Sequence, residues 1–134
     1  SSAASDVYKR QVLNGGPMMG RAMSNLASPV VKGCSGITVL GGAAALRGRE
    51  SSCIKCAKCV SACPMGLEPY LMAKLSRRKL WERLEAEWVT NCIECGCCQF
   101  TCPADIPLLD FIRMGKQEVG ALIRARAAAH ATKK

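Results

Sequence analysis

The feature that most constrains this chain is a cysteine motif that occurs twice. Both copies read C-x2-C-x2-C-x3-C-P, the first being Cys53, Cys56, Cys59, Cys63 and Pro64 and the second Cys92, Cys95, Cys98, Cys102 and Pro103. The N-terminus shows no basic cap, apolar run and small-residue cleavage site, so nothing marks the chain for secretion. Many cysteines outside a secreted context indicate metal binding rather than disulfides.

The spacing within each copy suits an iron-sulfur cube. Three cysteines on one tight loop can place their sulfurs at three corners of a 4Fe-4S cluster, and the fourth lies about one helical turn further on, where it cannot easily return to the same cube. In two-cluster ferredoxins with this spacing the fourth cysteine ligates the other cluster. The predicted ligand sets are Cys53, Cys56, Cys59 and Cys102 for a first 4Fe-4S cluster, and Cys92, Cys95, Cys98 and Cys63 for a second.

A structural zinc module is the alternative from a different class of function. An isolated C-x2-C pair is typical of zinc knuckles and ribbons, but a tetrahedral zinc site has no use for the third cysteine of each copy. Cys97 and Cys34 lie outside the pattern, and we expect a packed or exposed bystander at Cys97 and a small apolar filler at Cys34. The sequence shows no Ser-His-Asp set, paired carboxylates or phosphate-binding glycine loop, so no catalytic site is expected in this chain.

The residue pattern predicts a mainly α fold, an α-helical ferredoxin-like domain with two clusters, preceded by a short β-containing piece. Leu, Ile, Val and Phe make up only about a fifth of the 134 residues, so apolar burial alone is a weak source of stability. We take residues 1–11 as a cloning or sequencing scar and residues 12–48 as the remnant of a larger upstream domain. Residues 49–128 form the cluster domain, and residues 129–134 a basic tail.

Apolar residues at three- and four-residue spacings predict the helices of the cluster domain. Between the motifs they indicate two helices, or one broken near residues 76–79, with Pro69 at a first helical position and Trp88 on the apolar face. A further helix is expected to begin near Pro107, and the chain from Ala125 onward is expected to fray.

The charge balance limits the partners. Lys and Arg number 19 and Asp and Glu 10, a formal charge of +9, yet aromatic residues are only 4% of the chain. We therefore expect an acidic docking partner or an anionic membrane surface rather than nucleic acid. No segment is apolar enough over about 20 residues to span a membrane. The first loop carries Lys55 and Lys58, whereas the second has Glu94 at the position equivalent to Lys55. Because nearby positive charge favours the more negative reduced state, we expect the higher reduction potential at the first cluster.

These residues resemble the C subunit of the Rnf electron-transport complex. The resemblance lies in residues 53–67, in Cys92 to Gly96 and in Pro107-Leu108-Leu109, and it is made specific by Gly15-Gly16-Pro17-Met18-Met19-Gly20 and the following residues 32–37. It covers about residues 12 to 128. The rival from the same cofactor class is the iron-sulfur subunit of another respiratory oxidoreductase, of the succinate dehydrogenase, glycolate oxidase or heterodisulfide reductase type.

The resemblance implies an electron-transfer subunit without a catalytic site of its own. Such a subunit serves a membrane-associated complex that passes electrons between ferredoxin and NAD while moving Na+ or H+. Its implied partners are the other subunits and a ferredoxin-type redox protein. Its implied place is the cytoplasmic face of the bacterial inner membrane, peripherally bound. NAD and FMN are implied only for an upstream domain, so the eight cysteines alone are carried over as site residues.

Overall fold

The computed structural model describes residues 11–42 and 48–131, which divide into two compact units, one ending at Arg49 and one starting at Glu50. Residues 1–10 of the predicted scar, residues 43–47 of the predicted upstream remnant and residues 132–134 of the basic tail lie outside the described part. Gln11, the last residue of the predicted scar, is the first residue of a strand. The sheet therefore begins one residue before the boundary expected from the sequence.

The first unit contains a small antiparallel sheet. Its strands are β1 (Gln11–Asn14), β2 (Arg21–Ala22) and β3 (Ile37–Leu40), in the order β2-β1-β3. Leu13 of β1 pairs with Ala22 on one side and Thr38 on the other, and it is buried. The glycine-rich segment forms the tight β1–β2 connection, in which Gly20 N–H donates to Gly16 O at 2.7 Å.

The second unit is helical. In its described residues the α-helices are α1 (Lys58–Ser61), α2 (Pro69–Arg77), α3 (Trp81–Ala86), α4 (Cys97–Phe100) and α5 (Leu108–Ala131), with a 3-10 turn at Val89–Asn91. The coarse prediction of a helical domain after a small β-containing piece is confirmed. The long α5 packs across α2 and α3, and the two short helices α1 and α4 contact each other.

The core lies where one face of each longer helix meets the others. Met72, Leu84, Val89, Ile112 and Val119 are 0–1% exposed and pack in one cluster. Met72 lies three residues before the buried Leu75 on α2, and Ile112 lies seven residues, about two turns, before Val119 on α5. Both spacings match the period of a helix face that packs against its neighbours. Burial of such side chains contributes roughly 1.5–3 kcal/mol each.

Three helix boundaries refine or correct the sequence predictions. The break between α2 and α3 falls at residues 78–80, where Lys79 has φ 55°, so two helices are confirmed. Trp88 is not on an apolar helix face; it follows the end of α3 with φ 57° and is 66% exposed. The chain does not fray at Ala125, because α5 continues to Ala131 through alanine and arginine, both strong helix formers.

Candidate metal centres

The two cysteine motifs have the same backbone conformation. Every residue of the second motif lies 39 positions after its counterpart, as Cys92 does after Cys53. Left-handed conformations occur at three equivalent pairs of positions, namely Lys55 and Glu94 (φ 55° and 58°), Ala57 and Gly96 (59° and 81°), and Gly66 and Asp105 (64° and 51°). The repeat seen in the sequence is therefore a repeat of structure.

Hydrogen bonds within the two motifs also correspond. Val60 N–H donates to Ala57 O at 3.0 Å, and Gln99 N–H donates to Gly96 O at 3.1 Å. These bonds begin α1 and α4, each of which carries the chain from the third cysteine to the fourth. Because a left-handed residue precedes each short helix, the loop before it turns back on itself and holds its cysteines on one side.

Each of two cavities is lined by four cysteines, and each set draws on both copies. The first cavity has a volume of about 1060 Å³ and its cysteines are Cys53, Cys56, Cys59 and Cys102. The second is a tight space of about 20 Å³ whose cysteines are Cys63, Cys92, Cys95 and Cys98. These are the groupings expected from the spacing, with the fourth cysteine of each copy facing the loop of the other. In the described part of the chain, no three Cys, His, Asp or Glu side chains are arranged to hold a single metal ion.

The two sites differ in exposure. Cys53 and Cys56 of the first site are exposed, whereas Cys98 of the second is buried. Leu67, Met72 and Ile112 contribute apolar walls to the second cavity. The first site is thus open to water, while the second is more sheltered and lies against the helical core on one side.

Burial raises the pKa of several of these thiols. Burial raises the pKa of Cys98 to about 12, and the neighbouring Cys92 and Cys95 add to the shift. Burial likewise raises the pKa of Cys59 and Cys92, although backbone N–H groups, those of Tyr70 and Glu94 respectively, partly offset it. Metal binding requires deprotonated thiols. The positive core of an iron-sulfur cluster offsets the cost of deprotonating these buried thiols, so the two sets of cysteines fit such a cluster.

Charged side chains border both sites, but their arrangement differs. At the second loop, Glu94 accepts a hydrogen bond from Arg113 Nε at 3.0 Å and lies 3.3 Å from Lys116 Nζ. Partial burial opposes ionisation of Glu94, but the hydrogen bonds from the two cations outweigh it and lower the pKa. The sequence comparison of Lys55 with Glu94 was therefore incomplete, because it omitted the two cations that α5 brings to Glu94.

At the first loop the counterpart of Glu94 is Lys55, and the wall of the cavity includes Lys74 and Arg77 of α2. Arg77 forms an ion pair with Glu50, and its guanidinium lies 4.2 Å from the centre of the Phe111 ring. Lys74 and Arg77 were not predicted from the sequence as site residues. The 39-residue offset between the motifs also pairs Lys74 with Arg113 and Arg77 with Lys116, and this repeat of basic residues is the sequence pattern that points to them.

The two remaining cysteines take different places. Cys97 is half-buried beside Cys95, and a hydrogen bond with the Cys95 side chain raises its pKa. Cys34, expected to be a small apolar filler, is half-exposed and makes a polar contact: its Sγ donates to Asn14 Oδ1 at 3.2 Å. The polar surroundings of the β1–β3 end explain the difference. Within the described ranges, no helix has the length and apolar character to cross a membrane.

Comparison with known proteins agrees with this arrangement. Residues 52–107, which include both motifs, match the family model for the 4Fe-4S dicluster domain. Over 78 residues the chain is 44% identical to the C subunit of the proton-translocating ferredoxin:NAD(+) oxidoreductase complex of Clostridium ljungdahlii, covering 58% of this chain and 17% of that protein.

Two further relatives are matched over more of the chain. The C subunit of the Na(+)-translocating ferredoxin:NAD(+) oxidoreductase complex of Acetobacterium woodii is 42% identical over 109 residues, 81% of this chain and 25% of that protein. The C subunit of the ion-translocating oxidoreductase complex of Yersinia pestis is 38% identical over 123 residues, 88% of this chain and 19% of that protein. The chain thus spans a quarter or less of the length of these relatives. The resemblance predicted from the sequence is confirmed: over most of its length this chain is similar to the C subunits of ion-translocating oxidoreductase complexes, and its residues 52–107 match the 4Fe-4S dicluster domain.

Proposed function

We propose that this chain transfers electrons through two 4Fe-4S clusters as part of a ferredoxin:NAD oxidoreductase complex that translocates ions. The observation that carries the proposal is the pair of cavities, each lined by three cysteines of one motif and the fourth cysteine of the other. The first site would be held by Cys53, Cys56, Cys59 and Cys102, and the second by Cys92, Cys95, Cys98 and Cys63. In this arrangement each cluster joins the two repeats.

The role of the chain follows from what such a group supplies. A 4Fe-4S cluster accepts and donates an electron without making or breaking a substrate bond. The loops would present the thiolates, the short helices α1 and α4 would direct the fourth cysteine to the opposite site, and the core formed by α2 and α5 covers one side of the second site. Basic residues at both sites offset the negative charge that eight thiolates bring.

The complex and its other cofactors are inferred from the relatives. The C subunits of ferredoxin:NAD(+) oxidoreductase complexes give the proposed partners, namely the other subunits and a ferredoxin-type redox protein. We assign NAD and FMN binding to the part of the longer relatives that this chain does not span, and no residue here is assigned to them. The proposed place is the cytoplasmic face of the bacterial inner membrane, where the chain is held peripherally.

Anaerobic reconstitution tests the cofactor. Iron and sulfide analysis, a visible spectrum and EPR after dithionite reduction are made on one sample. We expect about eight irons per chain, a broad band near ~400 nm and the signal of two magnetically coupled reduced clusters. A colourless protein with zinc would overturn the proposal, as would a full iron load that dithionite cannot reduce.

A second measurement separates the complex proposed here from other respiratory oxidoreductases. The full-length protein that contains this segment is purified, and its flavin and nucleotide binding are measured. Bound FMN and reduction by NADH support a ferredoxin:NAD oxidoreductase. A plant-type ferredoxin centre in the remaining chain, with no nucleotide binding, would favour an iron-sulfur subunit of the succinate dehydrogenase type instead.

A further inference from the structure

Lys116 of α5 touches the second cysteine loop at two points. Its Nζ donates to the backbone carbonyl of Cys92 at 2.6 Å and lies 3.3 Å from Oε1 of Glu94. Arg113, one turn earlier on α5, donates from Nε to the other carboxylate oxygen of Glu94 at 3.0 Å. The side chains of Glu94, Arg113 and Lys116 are only 14–30% exposed, so water screens these contacts less than at the open surface.

The loop needs such support because its conformation is costly. Glu94 has φ 58°, a left-handed conformation that costs a residue with a Cβ roughly 1–2 kcal/mol. Glu94 N–H points at Cys92 Sγ, 3.4 Å away. This N–H lies in the peptide plane between Ile93 and Glu94, so its direction is set by the backbone from Cys92 to Glu94. Lys116 contacts that segment at both ends, at Cys92 O and at the Glu94 carboxylate, and so holds the donor on the sulfur.

Among the residues that the structure describes, the first loop has no equivalent clamp. At the position of Glu94 it has Lys55, which cannot accept from a cation. Arg77, the counterpart of Lys116, is instead paired with Glu50 and lies over the ring of Phe111. The repeat thus places cations at equivalent positions on α2 and α5, and only the second loop has the carboxylate that binds them.

We propose that Lys116 is a positioning residue of the second site, which fixes the Cys92–Cys95 loop through Cys92 O and Glu94 and thereby raises the reduction potential of the cluster that this loop holds. Two effects act in the same direction. The fixed loop keeps the Glu94 N–H on sulfur, and the ammonium is bound to the carbonyl of Cys92, a proposed ligand of a group that would become more negative on reduction. Hydrogen bonds to sulfur and local charge are both determinants of cluster potential. The proposal rests on the proposed function, because it needs a cluster at the second site.

The test is a redox titration followed by EPR on the reconstituted chain. Lys116→Met keeps the length of the side chain and removes its charge, and we expect the midpoint of the second cluster to become more negative while that of the first stays in place. Lys116→Arg should recover most of the shift. Arg124→Met, two turns further along α5 and exposed, removes the same charge away from the loop and should leave both midpoints in place. Lys55→Met should shift the midpoint of the first cluster, and this shift identifies which of the two measured midpoints belongs to that cluster.

A double variant separates positioning from simple charge. Glu94→Gln together with Lys116→Met removes one charge of each sign. If Lys116 acts only as a nearby charge, the shifts of the two single variants add in the double variant. If Lys116 holds the loop through Glu94, the midpoint shift of the double variant differs from the sum of the two single shifts, as is found for residues in contact.

The outcomes distinguish this inference from the proposed function. A parent protein without reducible clusters would overturn both. If the parent has two reducible clusters but Lys116→Met and Arg124→Met have the same midpoint for the second cluster, the role of Lys116 is overturned and the proposed function stands. If Lys116→Met fails to load its second site, Glu94→Gln, which retains Lys116 on the Cys92 carbonyl, decides. Loss of the carboxylate charge alone would raise the second midpoint, so a fall of that midpoint supports the clamp, and a rise or no change overturns it.

Discussion

Left-handed residues mark the cysteine motifs at the scale of single residues. Lys55, Ala57, Glu94 and Asp105 all have a positive φ in or beside these motifs, although none is glycine. Sequence reasoning predicts such a conformation at Gly66 and Gly96, but it cannot predict it at a lysine or an alanine. The conformation there is imposed by the need to bring three sulfurs together, which is a tertiary requirement and not a local preference.

Two substitutions at these positions should have opposite effects. Ala57 is exposed with φ 59°, so Ala57→Gly relieves backbone strain and should stabilise the loaded protein by about 1 kcal/mol. Gly66 has φ 64° and open space where a Cβ would lie, so Gly66→Ala should destabilise it by about 1–2 kcal/mol through strain alone. Guanidinium titrations followed at the cluster absorption measure both. Midpoints that move in the same direction would contradict the assignment of strain to these residues.

At the scale of elements, α2 and α5 approach each other closely at one point. A Cβ on Gly115 would lie 2.2 Å from Ser76 Oγ and 2.4 Å from Leu84 Cδ2, distances that real atoms do not adopt. Gly115 lies 39 positions after Ser76, so the contact joins equivalent residues of the two repeats. A contact between equivalent residues of two repeats is expected where an approximate two-fold axis relates the repeats.

Gly115→Ala should therefore destabilise the protein strongly. Both neighbours are buried, so the added methyl group can be accommodated only by moving α2 or α3, at a cost of about 1–3 kcal/mol or more. Gly120 of the same helix is the matched control. Its added Cβ would meet only the flexible end of Arg124 at 3.5 Å, and Gly120→Ala should stabilise by roughly 0.5–1 kcal/mol through helix propensity. Equal effects at the two glycines in denaturant titrations would rule out the close contact.

Ser76 leads to a separate prediction. It is fully buried, and its Oγ has no hydrogen-bond partner among the described residues. A buried hydroxyl without a partner costs about 1–3 kcal/mol, so Ser76→Ala should be neutral or stabilise by about 1 kcal/mol. Thermal release of the clusters, measured anaerobically against the parent, checks this. A clear loss of stability would show that the hydroxyl has a partner in solution, such as a buried water.

The elements were predictable to different degrees. The apolar periods were enough to find α2, α3 and α5, because each buries one continuous face. The predictions for Trp88 and for the end of α5 were wrong. The position of a helix end depends on the path of the segment that follows, and the apolar period carries no information about that path. The contacts of Glu94 with Arg113 and Lys116 could not be predicted, because the repeat offset pairs the cations of α2 and α5 with each other but does not show which loop each cation contacts.

At the scale of the whole molecule, the two sites should differ in potential. The first site is open, has exposed Cys53 and Cys56 and carries Lys55, so its more negative reduced state is better stabilised by water and charge. We expect the first cluster to be reduced at the higher potential. Lys55→Glu should lower that midpoint and leave the second unchanged in an EPR redox titration. If neither midpoint moves, the charge argument fails.

The exchange of the fourth cysteine between the repeats makes a prediction about the whole chain that iron counts can decide. With Cys102 at the first site, the double variant Cys53→Ser with Cys102→Ser removes two ligands from one cluster and should retain about four irons, whereas Cys53→Ser with Cys63→Ser damages both clusters and should retain almost none. If each motif instead held its own cluster, the two results would be reversed. The proposed exchange would also couple loading and folding of the two repeats, because neither site would be complete without both, and metal binding of this kind would contribute directly to the stability of the fold.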